Sequence, residues 1–167
     1  ELPSGGEPEI EQDLFDKVVI YTSLLAVPIR RNWEERDVIR GKILFGEIGC
    51  ADCHTPNHQT EVHELQELSN QSIWPYTDLL LHDMGEDLAD NRPVFDANGQ
   101  EWRTPPLWGI GLVKTVNKHT RFLHDGRARN ITEAILWHGG EGKAAQQSFI
   151  NLSKTEREEI LTFVNSL

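Results

Sequence analysis

The chain has 167 residues, with 16 Lys or Arg against 27 Asp or Glu for a net charge of −11, 38% apolar residues and two cysteines. A chain of this length buries roughly 70% of its unfolded surface, enough for one core, and two cysteines cannot build a disulfide framework. No stretch approaches the ~18 consecutive apolar residues of a membrane span, and the acidic balance lacks the basic footprint of a nucleic-acid binder.

The chain opens on Glu1, and its first thirty residues lack the basic, apolar and small-residue zones of a signal peptide, so a processed or excised form is expected. Residues 1–8, with Pro, Ser and two Gly, read as a linker or disordered terminus, and residues 9–167 as a single domain. Leu14, Phe15, Val18, Val19, Leu24 and Leu25 recur at helical spacing up to Pro28, which predicts a helix over about 9–27. A second helix is expected from Trp33 to Gly49, carried by Val38, Ile39, Ile43, Leu44, Phe45 and Ile48. Prolines at 56, 75, 93, 105 and 106 break the middle of the chain into loops and short extended pieces. Within it, Pro93 to Thr104 reads as a small β-hairpin, with Asn98-Gly99 as the turn. Asn130 with Glu133 starts another helix that Gly139-Gly140 interrupts, and Ser153-Lys154-Thr155-Glu156 is a capping box for a terminal helix over 154–166.

Both cysteines fall in one pentapeptide, Cys50-Ala51-Asp52-Cys53-His54, the attachment sequence for c-type haem. Two thiols at i and i+3 can bond to the two vinyl groups along one side of a porphyrin, and the following imidazole becomes the proximal iron ligand. A thioredoxin-like dithiol would need a preceding strand in a βαβ pattern, and a zinc site would need a second closely spaced ligand pair; the chain shows neither. Haem attachment of this kind happens outside the bacterial cytoplasm, so a periplasmic or exported protein is expected.

The partner on the other face of the iron decides between electron transfer and chemistry with peroxide or oxygen. Met84, the only methionine, stands after Leu79-Leu80-Leu81 and between Asp83 and Gly85, and its soft thioether suits ferrous iron and a raised potential. Six other histidines compete, at 58, 63, 82, 119, 124 and 138, with His82 the foremost rival because it lies two residues from Met84. Arg103 offers a guanidinium fork to a haem propionate.

The stretches Trp74-Pro75-Tyr76-Thr77-Asp78 through Met84-Gly85, Trp102-Arg103-Thr104-Pro105-Pro106-Leu107-Trp108-Gly109 and Phe122-Leu123-His124-Asp125-Gly126-Arg127-Ala128, together with the Cys50 motif, resemble the C-terminal haem domain of the bacterial di-haem oxidoreductase family. These are peroxidase-like proteins, also labelled thiol oxidoreductases, related to di-haem cytochrome c peroxidases and MauG-type enzymes. The resemblance implies a mainly α cytochrome c fold around one covalently bound haem, with long loops. It implies Cys50 and Cys53 as attachment points, His54 as proximal and Met84 as distal ligand, in a relay that serves a peroxidatic haem on an N-terminal domain. Family members carry two haem motifs and this chain one. The expected function is electron transfer to or from a partner with a basic or neutral docking face; the alternative is a peroxide-reactive haem with an open sixth site, His82 or His124 acting as acid-base group.

Overall fold

The structure is a computed structural model that describes residues 6–167, and the chain divides into two units, Glu1–Val27 with Gln59–Gln71, and Pro28–His58 with Ser72–Leu167. Of the terminal segment expected as a linker, residues 1–5 lie outside the described residues, and 6–10 run through bends.

In the first unit, helix α1 spans Gln12–Ser23, shorter at both ends than its apolar periodicity predicts, and none of its residues is buried. It stops at Leu24, whose N–H still reaches the Ile20 carbonyl at 3.1 Å, a few residues ahead of Pro28, which turns the residue before it away from helical backbone. The 59–71 stretch closes on itself. Thr60 Oγ1 donates to the Leu68 carbonyl at 2.7 Å and accepts from the Gln71 N–H at 2.8 Å, and Ser69 Oγ accepts from the His63 N–H at 2.8 Å.

The second unit is organised by helix α2, Arg36–Glu47, packed against the terminal helix α6, Lys154–Ser166. Gly41 sets how closely they approach: a Cβ there would stand 2.0 Å from the Glu159 carbonyl oxygen and 2.8 Å from Phe163 Cβ. That approach lets Phe45 meet Phe163 with ring centroids 5.3 Å apart, and Tyr76 completes an edge-to-face trio at 5.6 Å from Phe163. Such pairs add ~0.5–1.5 kcal/mol each beyond their buried area. Val38, Leu44, Phe149, Ile160 and Val164 fill in around them.

Helix α6 begins where the sequence predicts. Ser153 Oγ accepts from the Glu156 N–H and the Glu156 carboxylate accepts from the Ser153 N–H. Its C-terminal carbonyls are taken by the rest of the unit: Arg31 N–H donates to Ser166 O and Gly109 N–H to Leu167 O, both at 2.9 Å. Three further helices precede it: α3, Val113–Asn117; α4, Ile131–Leu136, capped by Asn130 Oδ1 on the Glu133 N–H at 2.9 Å; and α5, Lys143–Asn151. The middle of the chain is loops, 3-10 turns and short strands, as its prolines dictate.

The expected hairpin within Pro93–Thr104 is not what forms. The strand Glu101–Arg103 pairs antiparallel with Leu81–Asp83, in the register Leu81 with Arg103, His82 with Trp102 and Asp83 with Glu101. Asn98-Gly99 still turns, with Asn98 Oδ1 accepting from the Gln100 N–H at 2.8 Å. Gly99, however, backs directly onto Asn91, whose amide nitrogen would be 2.6 Å from an added Cβ, and Val94 closes only a tight bridge with Ala97, because Glu101–Arg103 is paired elsewhere. The result is a helix-rich chain with small antiparallel strand pairs, in which no helix of the described residues is long and apolar enough to cross a membrane.

Candidate functional site

Helix α2 delivers the cysteine motif. It ends through Gly49, which takes φ +89°, a left-handed conformation suited to glycine. The chain then winds through a 3-10 turn, Cys50–Asp52, in which the His54 N–H reaches the Cys50 carbonyl at 3.0 Å. The segment 75–80 braces this turn: Asp78 N–H donates to Cys53 O at 2.9 Å and Thr77 N–H to Thr55 O at 3.0 Å. The same run is tied on its other side by Thr77 Oγ1 to Thr104 O at 2.6 Å and by Leu107 N–H to Pro75 O at 2.8 Å.

Tyr76 carries the consequence for His54. Its backbone sits at φ +56°, a costly conformation for an aromatic residue, while its ring is locked in the core trio. That arrangement places its carbonyl 3.0 Å from His54 Nδ1. A carbonyl only accepts, so Nδ1 carries the proton and Nε2 is left as the basic nitrogen, the tautomer that a metal-ligating histidine uses. Burial lowers the His54 pKa to about 4, despite the opposing Tyr76 hydrogen bond, and the nearby His138 and His82 add to the lowering. The imidazole is therefore neutral at physiological pH, as ligation requires.

Both cysteines are free thiols. Burial, with help from Asp52, pushes Cys50 up to about 12, and burial with Asp78, Glu141 and Asp52 raises Cys53. These are not the low-pKa thiolates of a redox dithiol, which occupy electropositive surroundings. Two unpaired thiols one helical turn apart beside a neutral, single-tautomer imidazole fit covalent haem. A rival donor set shares Cys53: its Sγ, an Asp78 oxygen and a His82 ring nitrogen lie within 4.8 Å of one another.

His82, the foremost histidine competitor for the iron, has both ring nitrogens engaged, Nε2 with Asp78 and Nδ1 with Glu141, each at 2.8 Å. Hydrogen bonds to Glu141 and Asp78 raise its pKa. Burial would push Asp78 up, but the Leu80 N–H and the His82 ring hold it below the usual carboxylate value. His82 thus acts as a clip between the 75–80 run and Glu141. His124 stacks on Trp102 with centroids 3.6 Å apart.

Met84 lies just past this clip, half-buried, with its N–H on Gln100 O at 2.9 Å. Backbone packs on backbone beside it: a Cβ on Gly139 would come within 2.6 Å of Met84 O, and one on Gly140 within 2.1 Å of Asp83 O. The adjoining Glu141 carboxylate accepts from the Asp83 N–H at 2.9 Å. A Cβ at Gly142 would touch both the Met84 methyl, at 3.4 Å, and His138 Cδ2, at 3.3 Å.

His138 is the competitor that sequence reading counted among six histidines without singling out. It follows α4, and its Nδ1 donates to the Ala134 carbonyl at 2.7 Å. Burial lowers its pKa against that hydrogen bond. The only advance signal was its place four residues after Ala134, just before the Gly-Gly break. Arg103 is exposed on its strand, opposite Leu81. Arg127 is instead occupied by Asp125 at 2.6 Å and by the Trp137 ring, 4.9 Å from its guanidinium carbon.

A family model described as "Di-haem oxidoreductase, putative peroxidase" matches residues 3–167. No curated protein and no solved structure matches the chain.

Proposed function

The chain belongs to the di-haem oxidoreductase family, and on that premise we propose that it carries one haem c, held through Cys50 and Cys53, and moves single electrons through it. Membership supports haem binding and haem-based redox function in general; the observation that carries the narrower reading is the single tautomer of His54. With Nδ1 donated to Tyr76 O, the ring keeps Nε2 for iron, one residue after a pair of unpaired thiols. When bound, the haem supplies a one-electron couple whose potential its axial ligands set.

The chain's own residues do the positioning. Cys50 and Cys53 anchor one edge of the group, and the 75–80 run fixes the His54 ring. The glycines at 139, 140 and 142 let the chain close tightly on Asp83–Gly85, which holds Met84 in place as one candidate for the sixth position. Arg103 is proposed as donor to a haem carboxylate. With both nitrogens of His82 on carboxylates, that histidine presents no free acid-base nitrogen, which favours electron transfer over peroxide chemistry at this iron. A cytochrome c-like arrangement, in which α2 and α6 pack beside the attachment turn, belongs to the same proposal. So do export to the periplasm, a redox partner with a basic or neutral face, and service to a peroxidatic haem on an N-terminal domain.

The test is the colour of the purified protein. Haem absorbance that resists acid-acetone extraction in the parent chain, and becomes extractable in Cys50→Ser/Cys53→Ser, is the expected result. A colourless protein that binds zinc through Cys53, Asp78 and His82 would overturn the reading.

A further inference from the structure

Two histidines of the described residues share one preparation. In His54, Nδ1 is donated to a backbone carbonyl, Tyr76 O at 3.0 Å; in His138, Nδ1 is donated to Ala134 O at 2.7 Å. Each ring is partly buried, each leaves Nε2 with no protein hydrogen bond, and His138 is near enough for its charge to act on His54. Fixing one ring nitrogen on a backbone acceptor is how proteins orient and select the nitrogen that binds a metal. Holding the Ala134 carbonyl at the end of α4 uses only Nδ1 of His138 and leaves Nε2 over.

Its place in the fold is as well determined as that of Met84. His138 immediately precedes Gly139-Gly140, the dipeptide packed backbone-to-backbone on Asp83–Gly85. The two side chains flank one point. His138 Cδ2, the ring carbon bonded to Nε2, and Met84 Cε, the methyl bonded to sulfur, both stand in van der Waals range of a Cβ placed on Gly142. Gly142 adjoins Glu141, which grips His82, a ring nitrogen of which lies within 4.8 Å of Cys53 Sγ. Both candidate ligands are thus tied by a short series of contacts to the attachment turn.

We propose that His138 Nε2 is the sixth ligand of the ferric iron, with the Met84 thioether beside it rather than on the metal; this rests on the haem c reading above. The choice follows donor hardness: imidazole favours ferric iron, and a thioether favours ferrous. In the oxidised protein a pre-oriented nitrogen therefore prevails over the sulfur of the neighbouring Met84.

The experiment is near-infrared magnetic circular dichroism and electron paramagnetic resonance of the oxidised, haem-loaded chain, with His138→Ala and His138→Met beside it. The parent is expected to be low-spin with no sulfur-to-iron band. His138→Ala is expected either to gain that band, as Met84 takes the vacated position, or to turn high-spin. His138→Met, which keeps bulk and a donor at the position, is expected to be low-spin with the band. A parent that already shows the sulfur band, or a His138→Ala spectrum identical to the parent's, would overturn the assignment while leaving haem attachment intact. A colourless parent would overturn both readings.

Discussion

Replacing Gly41 with alanine puts a methyl group where the structure has none to spare. The added carbon would lie 2.0 Å from Glu159 O and 2.5 Å from Glu159 C, both backbone atoms of α6 that cannot rotate away. Ordinary contact is about 3.5 Å, so the helices must part by roughly 1.5 Å at this point. A radial gap of even ~0.5–1 Å forfeits a quarter to a half of the dispersion energy across it. The loss falls on the Phe45–Phe163 and Tyr76–Phe163 edge contacts. Overpacking of this kind costs ~1–3 kcal/mol, here at the upper end because the obstacle is backbone, and the better helix propensity of alanine returns ~1 kcal/mol. The expected net loss is about 2 kcal/mol, a fall of about 1 M in the urea midpoint for a slope near 2 kcal/mol/M. Gly46 gives the internal control: it lies in the same helix with nothing within 4 Å of an added Cβ. Gly46→Ala should therefore raise the midpoint by up to ~0.5 M, for ~1 kcal/mol of propensity at the same slope. Equilibrium urea unfolding followed by circular dichroism reads both variants. If Gly41→Ala matches or exceeds the parent, the close crossing of α2 and α6 is wrong.

Ser153→Ala should cost about 1 kcal/mol at neutral pH by removing the cap of α6. The Glu156 pKa is lowered by its hydrogen bonds with the Ser153 side chain and backbone, so its contribution is present above the ordinary carboxylate pKa and lost as pH falls through the depressed folded value. The gap between parent and variant should narrow on that acid limb in pH-dependent unfolding, and a gap constant down to pH 3 would count against the box. Gly140→Ala would set a Cβ 2.1 Å from Asp83 O at φ +46° and should loosen the Met84 segment. Amide exchange at Met84, bonded to Gln100 O, should quicken at least tenfold, equivalent to ~1.4 kcal/mol; unchanged exchange would refute that packing.

Local chemistry was legible in the sequence, and pairing across distance was not. Ser153 with Glu156 and Asn130 with Glu133 announce helix starts because each bond spans three residues, and the Cys50 motif announces itself because its three groups lie within one turn. The strand Glu101–Arg103 was misassigned because its partner lies some twenty residues upstream, and Asn98-Gly99 turns the chain without dictating what pairs beyond it. The proximal tautomer was invisible for the same reason: the carbonyl that fixes His54 belongs to Tyr76, held at positive φ by packing against Phe45 and Phe163. His138 carried only a four-residue relation to Ala134 and was passed over as one histidine among several. Its weight comes from Met84 and Gly142, which no spacing rule connects to it.

Helix α4 is only six residues long, well below the ~12–15 at which an isolated helix holds in water. The ends of such a helix leave carbonyls without partners, and here the Ala134 carbonyl is taken up by the Trp137 amide and the His138 ring together. The aim of that imidazole and the survival of the helix's last turn are consequently one equilibrium. Fraying of 134–138 frees the ring to rotate, and anything that grips Nε2 from the far side holds the turn wound. A short helix that could not stand alone thereby becomes a strain gauge, read out at the tip of a single side chain.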